Sequence, residues 1–389
     1  MKTATKRIFA ALLVVALSVG CCLALASCNK EENFAAKNTE FYIGASGPLT
    51  GGAAVYGQAV MNAATMAVEE INAAGGVNGI RIKFKMMDDK HDPSNVSTNY
   101  TTLYEDGMQI SLGCVTTGPC KEWKKLSEED GVFFITPSAS ADIIVEYDNA
   151  YQMCFADAKQ GSTAAKYVNE NVDETLIGVL YKSDDAYSSG IFDNFKSTLS
   201  KDKTLVEASF TGDTVASFSS QIAKLKDCKF IFMPIYYGPA SQFIQEAKND
   251  VSADAVYYGC DGLDGIDTVE GFDVNAVPQE ISYLSHFNSN ATSGPAKTFI
   301  DKYTEKYGTD TLNQFGASAY DCIYAIKAAI EALGNKVNAT TSASDFCDAL
   351  KGVFQGDFTF SGVTGANITW DKDGFVNKDA IKYSVNRAN

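Results

Sequence analysis

Histidine and basic residues are scarce in this sequence, and both shortages exclude classes of function. The chain has 389 residues but only two histidines, His91 and His286. They leave few partners for a His-rich zinc site or a Ser/His/Asp triad. Lys and Arg number 32 against 48 Asp and Glu, so the formal net charge of −16 provides no attraction to nucleic acid or anionic lipid. We therefore expect no nucleic-acid partner and no His-dependent catalysis.

Sequence patterns for nucleotide, redox and metal sites are missing as well. Gly51, Gly52 and Gly57 lack the Lys-Ser/Thr pair of a P-loop, and no Gly-x-Gly-x-x-Gly opens a helix after a strand. No Cys-x-x-Cys is present. The acidic segment from Asp88 to Asn95 lacks the central Gly and terminal Glu of a calcium loop, which favours a solvated loop. We therefore expect no cofactor and no bound metal.

The N-terminus has the pattern of an export signal, and no later segment is apolar enough to span a membrane. Three basic residues precede an apolar stretch from Ile8 to Ala26, as in a secretory signal peptide. Residues 25–28 resemble a bacterial lipobox, which implies cleavage before Cys28 and attachment of lipid to it. Two acyl chains would anchor the protein stably to the outer face of the cytoplasmic membrane. An uncleaved membrane anchor is the alternative.

These signals divide the start of the chain. We assign residues 1–27 to the signal peptide and residues 28–39 to a polar, lipidated tether. Loss of the signal peptide changes the formal charge from −16 to −19, because it removes three basic residues and no acidic ones. The acidity of the exported protein favours solubility beside a membrane.

Cysteine use leaves two interpretations open. Seven cysteines follow Cys28, an odd number that leaves at least one thiol free. Cys322 and Cys347 lie on consecutive predicted helices and could form a disulfide. Alternatively, all seven are small buried apolar residues.

Short β-rich runs alternate with amphipathic helical runs from residue 41 onward. In the first unit, strands are predicted at 41–45, 80–86, 109–115, 132–136 and 150–155, with helices at 61–71, 94–106 and 120–130. In the second, strands are predicted at 176–181, 205–210, 230–234, 256–259 and 281–287, with helices at 162–171, 188–199, 218–225 and 240–247. Three helices follow at 296–307, 315–333 and 343–350. Strands separated by helices pair in parallel through right-handed crossovers, so we expect two α/β units with a cleft between them.

The same regions contain short motifs in a fixed order. The first are Ile43-Gly44, Gly47-Pro48-Leu49-Thr50-Gly51, Tyr56-Gly57-Gln58 and the run from Ala67 to Gly79. Others follow at Asp88-Asp89, Thr136 to Ser140, Gly212-Asp213-Thr214, Tyr236-Tyr237, Gly259 to Gly262, Tyr303 to Gly308 and Ala319-Tyr320-Asp321. From Phe41 to the C-terminus the series resembles the leucine/isoleucine/valine-binding protein family. Its members are extracytoplasmic solute receptors of ABC transporters with the type I periplasmic-binding fold.

The resemblance implies two Rossmann-like lobes with parallel sheets, joined by three crossovers, and a ligand bound between the lobes by hinge closure. The first lobe would comprise residues 40–157 and 288–362, and the second residues 158–287 and 363–389. The crossovers are expected near 156–160, 285–290 and 362–369. The protein is expected to act as a monomer that binds a small-molecule ligand and contacts the permease subunits of an ABC transporter.

Two hydroxyl-rich segments follow predicted strands and are candidates for binding the ligand. Thr116-Thr117 and Ser138 to Ser140 fall at carboxyl ends of strands, where α/β folds bind ligands. By the resemblance, the Thr117 hydroxyl and amide and the Ser140 amide hold an amino-acid carboxylate, helped by the Tyr187 hydroxyl from the second lobe. Backbone N–H groups at helix N-termini suit this task because they are fixed and partly positive.

The resemblance also implies a site for the ammonium group of the ligand. The Ser138 carbonyl, the Ser140 hydroxyl and Asp261 would hold it. Asp261 supplies the full negative charge of this set, so we expect it to be the most sensitive residue. Some relatives carry Glu here, and the shorter Asp would shift the ammonium position. The candidates for lining the side-chain pocket are Tyr56, Tyr236 and Phe287.

Each candidate also has a structural alternative. Ser and Thr after strands commonly form turns or cap helices, Asp261 suits a turn, and tyrosines commonly pack in cores. The ordered resemblance favours the ligand role most for Thr117, Ser140, Tyr187 and Asp261.

The sequence thus predicts a lipid-anchored receptor that binds an amino acid, of branched-chain type, and delivers it to an ABC permease without catalysis. One alternative is a ligand-sensing lipoprotein of the same fold that signals through a partner. Another is a cell-surface hydrolase that uses a Ser or Asp in the cleft. Neither His91 nor His286 lies near a Ser-containing nucleophile elbow, which disfavours the hydrolase.

Overall fold

The computed structural model describes residues 32–385, which fold into two α/β lobes. The predicted signal peptide and Cys28 lie outside the described residues. The first sheet has the order β2-β1-β3-β4-β5, with all pairs parallel. Its strands are β1 (Phe41–Gly47), β2 (Ile82–Asp88), β3 (Ile110–Cys114), β4 (Phe133–Thr136) and β5 (Ala150–Gln152). The connecting helices are α1 (Ala54–Ala73), α2 (Val96–Glu105) and α3 (Thr117–Glu129).

The second sheet has the order β11-β10-β9-β8-β6-β7, with only the β10–β11 pair antiparallel in the described chain. Its strands are β6 (Leu176–Lys182), β7 (Thr204–Phe210), β8 (Phe230–Met233), β9 (Val256–Gly259), β10 (Glu280–Ser285) and β11 (Ile381–Ser384). The helices of this region are α4 (Asp157–Asn171), α5 (Ala186–Thr198), α6 (Ser219–Leu225) and α7 (Tyr237–Ala247). The predicted α/β class and the predicted strands are confirmed.

After β10 the chain returns to the first lobe. Three helices follow, α8 (Gly294–Tyr307), α9 (Gln314–Leu333) and α10 (Ala343–Phe354). Helix α9 packs along α1, and both α9 and α10 contact β3 and β4. The chain then crosses back to place β11 at the edge of the second sheet. The lobe boundaries in residue numbers stay a prediction, but each lobe is built from separate stretches of sequence.

The hydrophobic pattern decides where each strand lies in the first sheet. All seven residues of β1 are buried, because neighbouring strands flank it and helices cover both faces. In β2, by contrast, only Ile82 is fully buried, and Lys83 and Lys85 stand between apolar residues. This alternation predicted an edge strand, and β2 is the edge strand.

Part of the predicted tether is packed against the first lobe. Phe34 lies edge-on to Tyr104 with ring centroids 5.3 Å apart, and Ala35 is buried. The Asn38 side-chain amide donates to the Gly107 carbonyl at 2.8 Å. The short helical turn Phe34–Lys37 therefore belongs to the folded domain. Its three apolar residues were too short a pattern to predict this packing from the sequence. Between residues 32 and 385 no helix has the length and apolarity to cross a bilayer.

The cysteines follow the second interpretation. All seven after Cys28 are free and buried. The proposed Cys322–Cys347 disulfide is therefore wrong, because both side chains pack as small apolar groups in the same core cluster.

Candidate functional site

A small cavity lies between the two lobes, and in this closed structure its free volume is about 10 Å³. Eight of the nine site residues predicted from the sequence line it: Tyr56, Thr116, Thr117, Ser138, Ser140, Tyr187, Tyr236 and Asp261. Three residues that were not predicted complete the lining: Val115, Gly262 and Phe315. Phe287 does not line it; its ring packs in the core at 5.8 Å from Phe299. The free volume is about the space of one water molecule, so entry of a ligand requires the lobes to separate further.

The first-lobe side of the cavity presents the start of helix α3. Thr116 is extended at the helix N-cap, and Thr117 is the first residue of the helix; both are buried. Neither hydroxyl caps the helix, since no side-chain cap bond is formed. The first N–H groups of a helix have no partner within it and attract anions. The arrangement can therefore accept a carboxylate.

The loop after β4 forms the adjoining wall and is held rigidly. The Thr136 hydroxyl accepts from the backbone N–H groups of Ser138 and Ala139 at 3.2 and 3.0 Å. The Gln152 side-chain amide donates to the Ala139 carbonyl at 3.1 Å. Ser140 is buried, and its carbonyl accepts from Asp157 N–H at 2.9 Å. These bonds fix Ser138 and Ser140 beside the cavity.

Asp261 dominates the second-lobe side. It follows β9 in a short helical turn and is 1% exposed. Its Oδ1 accepts from the Tyr187 hydroxyl at 2.7 Å, whereas its Oδ2 has no hydrogen-bond partner among the described residues. Burial raises the pKa of this carboxyl to about 7. A buried carboxylate oxygen without a partner needs a cation or a proton.

Tyr187 lines the cavity and is hydrogen-bonded within the second lobe. Its hydroxyl donates to Asp261 and accepts from Gly262 N–H at 2.9 Å. Gly262 is required here because a Cβ would lie 2.6 Å from the Tyr187 hydroxyl oxygen. Tyr187 therefore supports Asp261 in this structure, and its expected contact with a ligand carboxylate stays a prediction.

Two buried polar residues beside the cavity escaped the sequence analysis. Asp157 and Gln160 lie in the first turn of α4, which begins five residues before the predicted helix. Gln160 Oε1 accepts from Asp261 N–H at 3.0 Å. Asp157 Oδ2 has no partner in the described part of the chain, and burial raises the pKa of this carboxyl well above its usual range. A second carboxyl group with one unpartnered oxygen among the described residues therefore lies near Asp261.

Aromatic rings from both lobes close the remaining wall. Tyr236 stacks on Tyr187 with centroids 4.9 Å apart and lies 5.8 Å from Tyr56. Phe315 packs at 4.8 Å from Tyr56 on the other side. The Tyr56 hydroxyl donates to the Gly262 carbonyl at 2.5 Å, which links the lobes directly. The described structure is therefore closed over the cavity.

His91 also reaches this wall and was not predicted. Its Nδ1 lies 2.9 Å from the Thr116 hydroxyl, and its ring is edge-on to Tyr236 at 5.5 Å. In residues 32–385 no group of three His, Cys, Asp or Glu could hold a metal ion. The site thus combines anion-accepting N–H groups on one lobe with unpaired carboxylate oxygens near the other.

Comparison with known sequences gives consistent relatives. The sequence model of a periplasmic binding protein family matches residues 40–389. The Leu/Ile/Val-binding protein BraC3 of Rhizobium johnstonii is 29% identical over 322 residues, which are 80% of this chain and 84% of that protein. The leucine-, isoleucine-, valine-, threonine- and alanine-binding protein of Pseudomonas aeruginosa is 29% identical over 301 residues, covering 75% of this chain and 78% of that one.

Solved structures share the fold. The branched-chain amino acid substrate-binding protein LivJ of Streptococcus pneumoniae, in complex with isoleucine, has a TM-score of 0.75 at 24% identity over 88% of this chain and 100% of that one. A solute-binding protein of Rhodopseudomonas palustris in complex with p-hydroxybenzoic acid has a TM-score of 0.77 at 17% identity, covering 90% and 94%. With a family match over nearly all of the exported chain, this protein belongs to the periplasmic binding protein family, whose relatives here are Leu/Ile/Val-binding proteins.

Proposed function

We propose that the protein is a lipid-anchored extracytoplasmic receptor that binds an amino acid in this cavity and delivers it to an ABC permease. The observation that supports this most is the opposition of charge across the cavity. Helix N–H groups and hydroxyls lie on the first lobe, and the Asp261 carboxylate lies on the second. An amino acid carries a carboxylate and an ammonium on one carbon, which matches this opposition.

The unpaired carboxylates favour a ligand that carries a positive charge. Asp261 and Asp157 each keep one oxygen without a partner in the described structure, and both are buried. Burial of an anion is costly unless a cation or hydrogen bonds offset it. p-Hydroxybenzoic acid, the ligand of one structural relative, has no ammonium group and would leave both aspartates unpaired. The aromatic and apolar part of the lining, with Val115 and Phe315, suits an aliphatic side chain.

Hinge closure follows from contacts with both lobes. A ligand that touches Thr117 and Asp261 together binds the closed state better than the open state and shifts the equilibrium towards it. The permease can then distinguish loaded from empty receptor by its shape.

Calorimetric titration of ligand-stripped protein tests the binding proposal. L-Leucine should bind, whereas 4-methylpentanoate, which lacks the ammonium, and isopentylamine, which lacks the carboxylate, should bind at least about 100-fold more weakly. L-Isoleucine and L-valine complete the panel. Binding of p-hydroxybenzoate with no heat from any amino acid would contradict the proposal.

Lipid anchoring and delivery need a separate test in cells. Labelling with a radioactive fatty acid should mark the wild type, and Cys28→Ala should remove both the label and the membrane association. Uptake of the bound amino acid should fall when the gene is deleted. Normal uptake with loss of a signalling response would favour the sensing alternative.

A further inference from the structure

His91 contacts both lobes at the edge of the cavity. Its Nδ1 lies 2.9 Å from the Thr116 hydroxyl in the first lobe. Its ring is nearly perpendicular to that of Tyr236 in the second lobe, 5.5 Å between centroids. Tyr236 in turn stacks on Tyr187, the support of Asp261. One partly buried side chain therefore connects the two halves of the site.

The backbone that carries this ring is strained. Lys90 and His91 both adopt left-handed conformations, with φ of +57° and +63°, although neither is glycine. Such residues cost free energy and concentrate at functional sites. Two acidic side chains hold the turn: Asp88 Oδ1 accepts from Lys90 N–H and Asp89 Oδ1 accepts from His91 N–H, each at 2.9 Å.

The support for the turn extends into the core. Asp89 is fully buried and accepts from the Ser46 hydroxyl at 3.1 Å. Asn99 donates to the Ser46 hydroxyl at 3.0 Å and to the Asp88 carbonyl at 3.1 Å. Asp89 is therefore a buried support for the turn, while Lys90, Asp92 and Ser94 of the same segment are exposed, as expected of a solvated loop.

We propose that His91 is a positioning residue that retains the ligand in the closed receptor. It orients the Thr116 hydroxyl beside the carboxylate end of the cavity and contacts Tyr236 only while the lobes are together. Loss of the ring should speed the release of ligand more than it slows binding, because contacts made after closure act mainly on dissociation. This inference rests on the proposed function, since it requires a ligand in the cavity.

The test compares two neighbouring residues of the same turn. Asn tolerates the left-handed conformation, so His91→Asn removes the ring and Lys90→Asn, at an exposed position, is the matched control. Dissociation and association rates are measured by stopped-flow tyrosine fluorescence with whichever of L-leucine, L-isoleucine and L-valine binds the wild type. His91→Asn should dissociate about tenfold faster with association within about twofold, and Lys90→Asn should match the wild type.

Further variants distinguish a loss of ligand retention from damage to the fold. His91→Gly, in which glycine adopts the left-handed conformation without strain, should show the same faster release. The pair His91→Asn and Thr116→Val should be non-additive in a double-mutant cycle, because both remove one contact. If the wild type binds an amino acid and both His91 variants release it at the Lys90→Asn rate, the inference about His91 is wrong and the proposed function is unaffected. If the wild type binds none of the three, the amino-acid proposal fails and this inference with it.

Discussion

The two ends of the turn after β9 contain similar carboxylates in different environments. Asp261 and Asp264 are three residues apart and both are buried. Asp264 Oδ1 accepts from the Tyr283 hydroxyl and its Oδ2 accepts from Gln314 N–H, each at 2.9 Å. Asp261 uses one oxygen and leaves the other unpartnered within the described residues. The satisfied carboxylate ties the turn to the first residue of helix α9, whose N-cap is Asn313, whereas the half-satisfied one is available to a ligand.

The pKa values of both carboxyl groups show the cost of burying a charge. Burial raises the pKa of Asp261 to about 7 and that of Asp264 to about 6. The bonds from Tyr283 and Gln314 lower the pKa of Asp264 only in part. Burial alone therefore does not distinguish the two aspartates; the unpartnered Oδ2 of Asp261 beside the cavity does.

The largest expected effect is on affinity at Asp261. Asp261→Asn preserves shape but removes the charge, so amino-acid affinity should fall about 100-fold or more, since truncating a buried charged pair costs about 3–5 kcal/mol. Titration calorimetry measures it. Asp264→Asn is the matched control and should bind within a few-fold of the wild type. If Asp261→Asn binds as tightly as the wild type, the site assignment fails.

The next largest effect is on stability, and here we expect the variant at Asp264 to be affected more than the variant at Asp261. Both oxygens of Asp264 accept hydrogen bonds, and in Asp264→Asn the amide NH₂ replaces one of them and cannot accept. The free energy of unfolding should therefore fall by about 1–3 kcal/mol. Asp261→Asn should leave the stability of the ligand-free protein unchanged or increase it. Chemical denaturation with urea measures both. Equal losses for the two variants would remove the distinction between the carboxylates.

The pH dependence of stability sharpens the same comparison. The folded-state pKa of Asp261, about 7, lies above the usual value of about 3.9, so the empty folded protein holds a proton that the unfolded chain releases. The stability contributed by this proton is present below about pH 4 and is lost as pH rises through 7. Asp261→Asn should therefore melt about 2–4 °C above the ligand-free wild type at pH 8 and alongside it near pH 4. A constant difference across this range would argue against the raised pKa.

The smallest expected effect is at the tyrosines that donate to the two carboxylates. Tyr187→Phe should weaken amino-acid binding about fivefold, because it removes one bond to Asp261 worth about 1 kcal/mol. Tyr283→Phe removes the equivalent bond to Asp264 and should leave affinity unchanged. Both are read by the same titration. A larger loss for Tyr283→Phe would show that the two ends of the turn act together.

The sequence predicted the strands and the meeting of the site residues because these depend on local pattern and topology. Carboxyl ends of parallel strands share one edge of a sheet, so Thr117 after β3 and Ser140 after β4 had to be neighbours. Their role in binding stays a prediction. The apolar period also located the edge strand β2 correctly.

Other residues left no pattern to find. Asp157 and Gln160 are polar yet buried, and periodicity of apolar residues therefore placed the start of α4 too late. Phe287 suits a core and a pocket equally, and only its packing against Phe299 decides between them. The position of His91 depends on a left-handed turn, which carboxylates at the end of the preceding strand hold in place. Such a tertiary arrangement leaves no local pattern in the sequence.

The return of the chain to the first lobe also sets the order in which the protein can fold during synthesis. Helices α9 and α10, which cover β3 and β4, are made about two hundred residues after those strands. At about 5–20 residues per second, the first lobe remains without this cover for about ten seconds or more. The second sheet likewise waits about one hundred residues after β10 for its last strand, β11. Both cores are therefore completed only when the last part of the chain has been made.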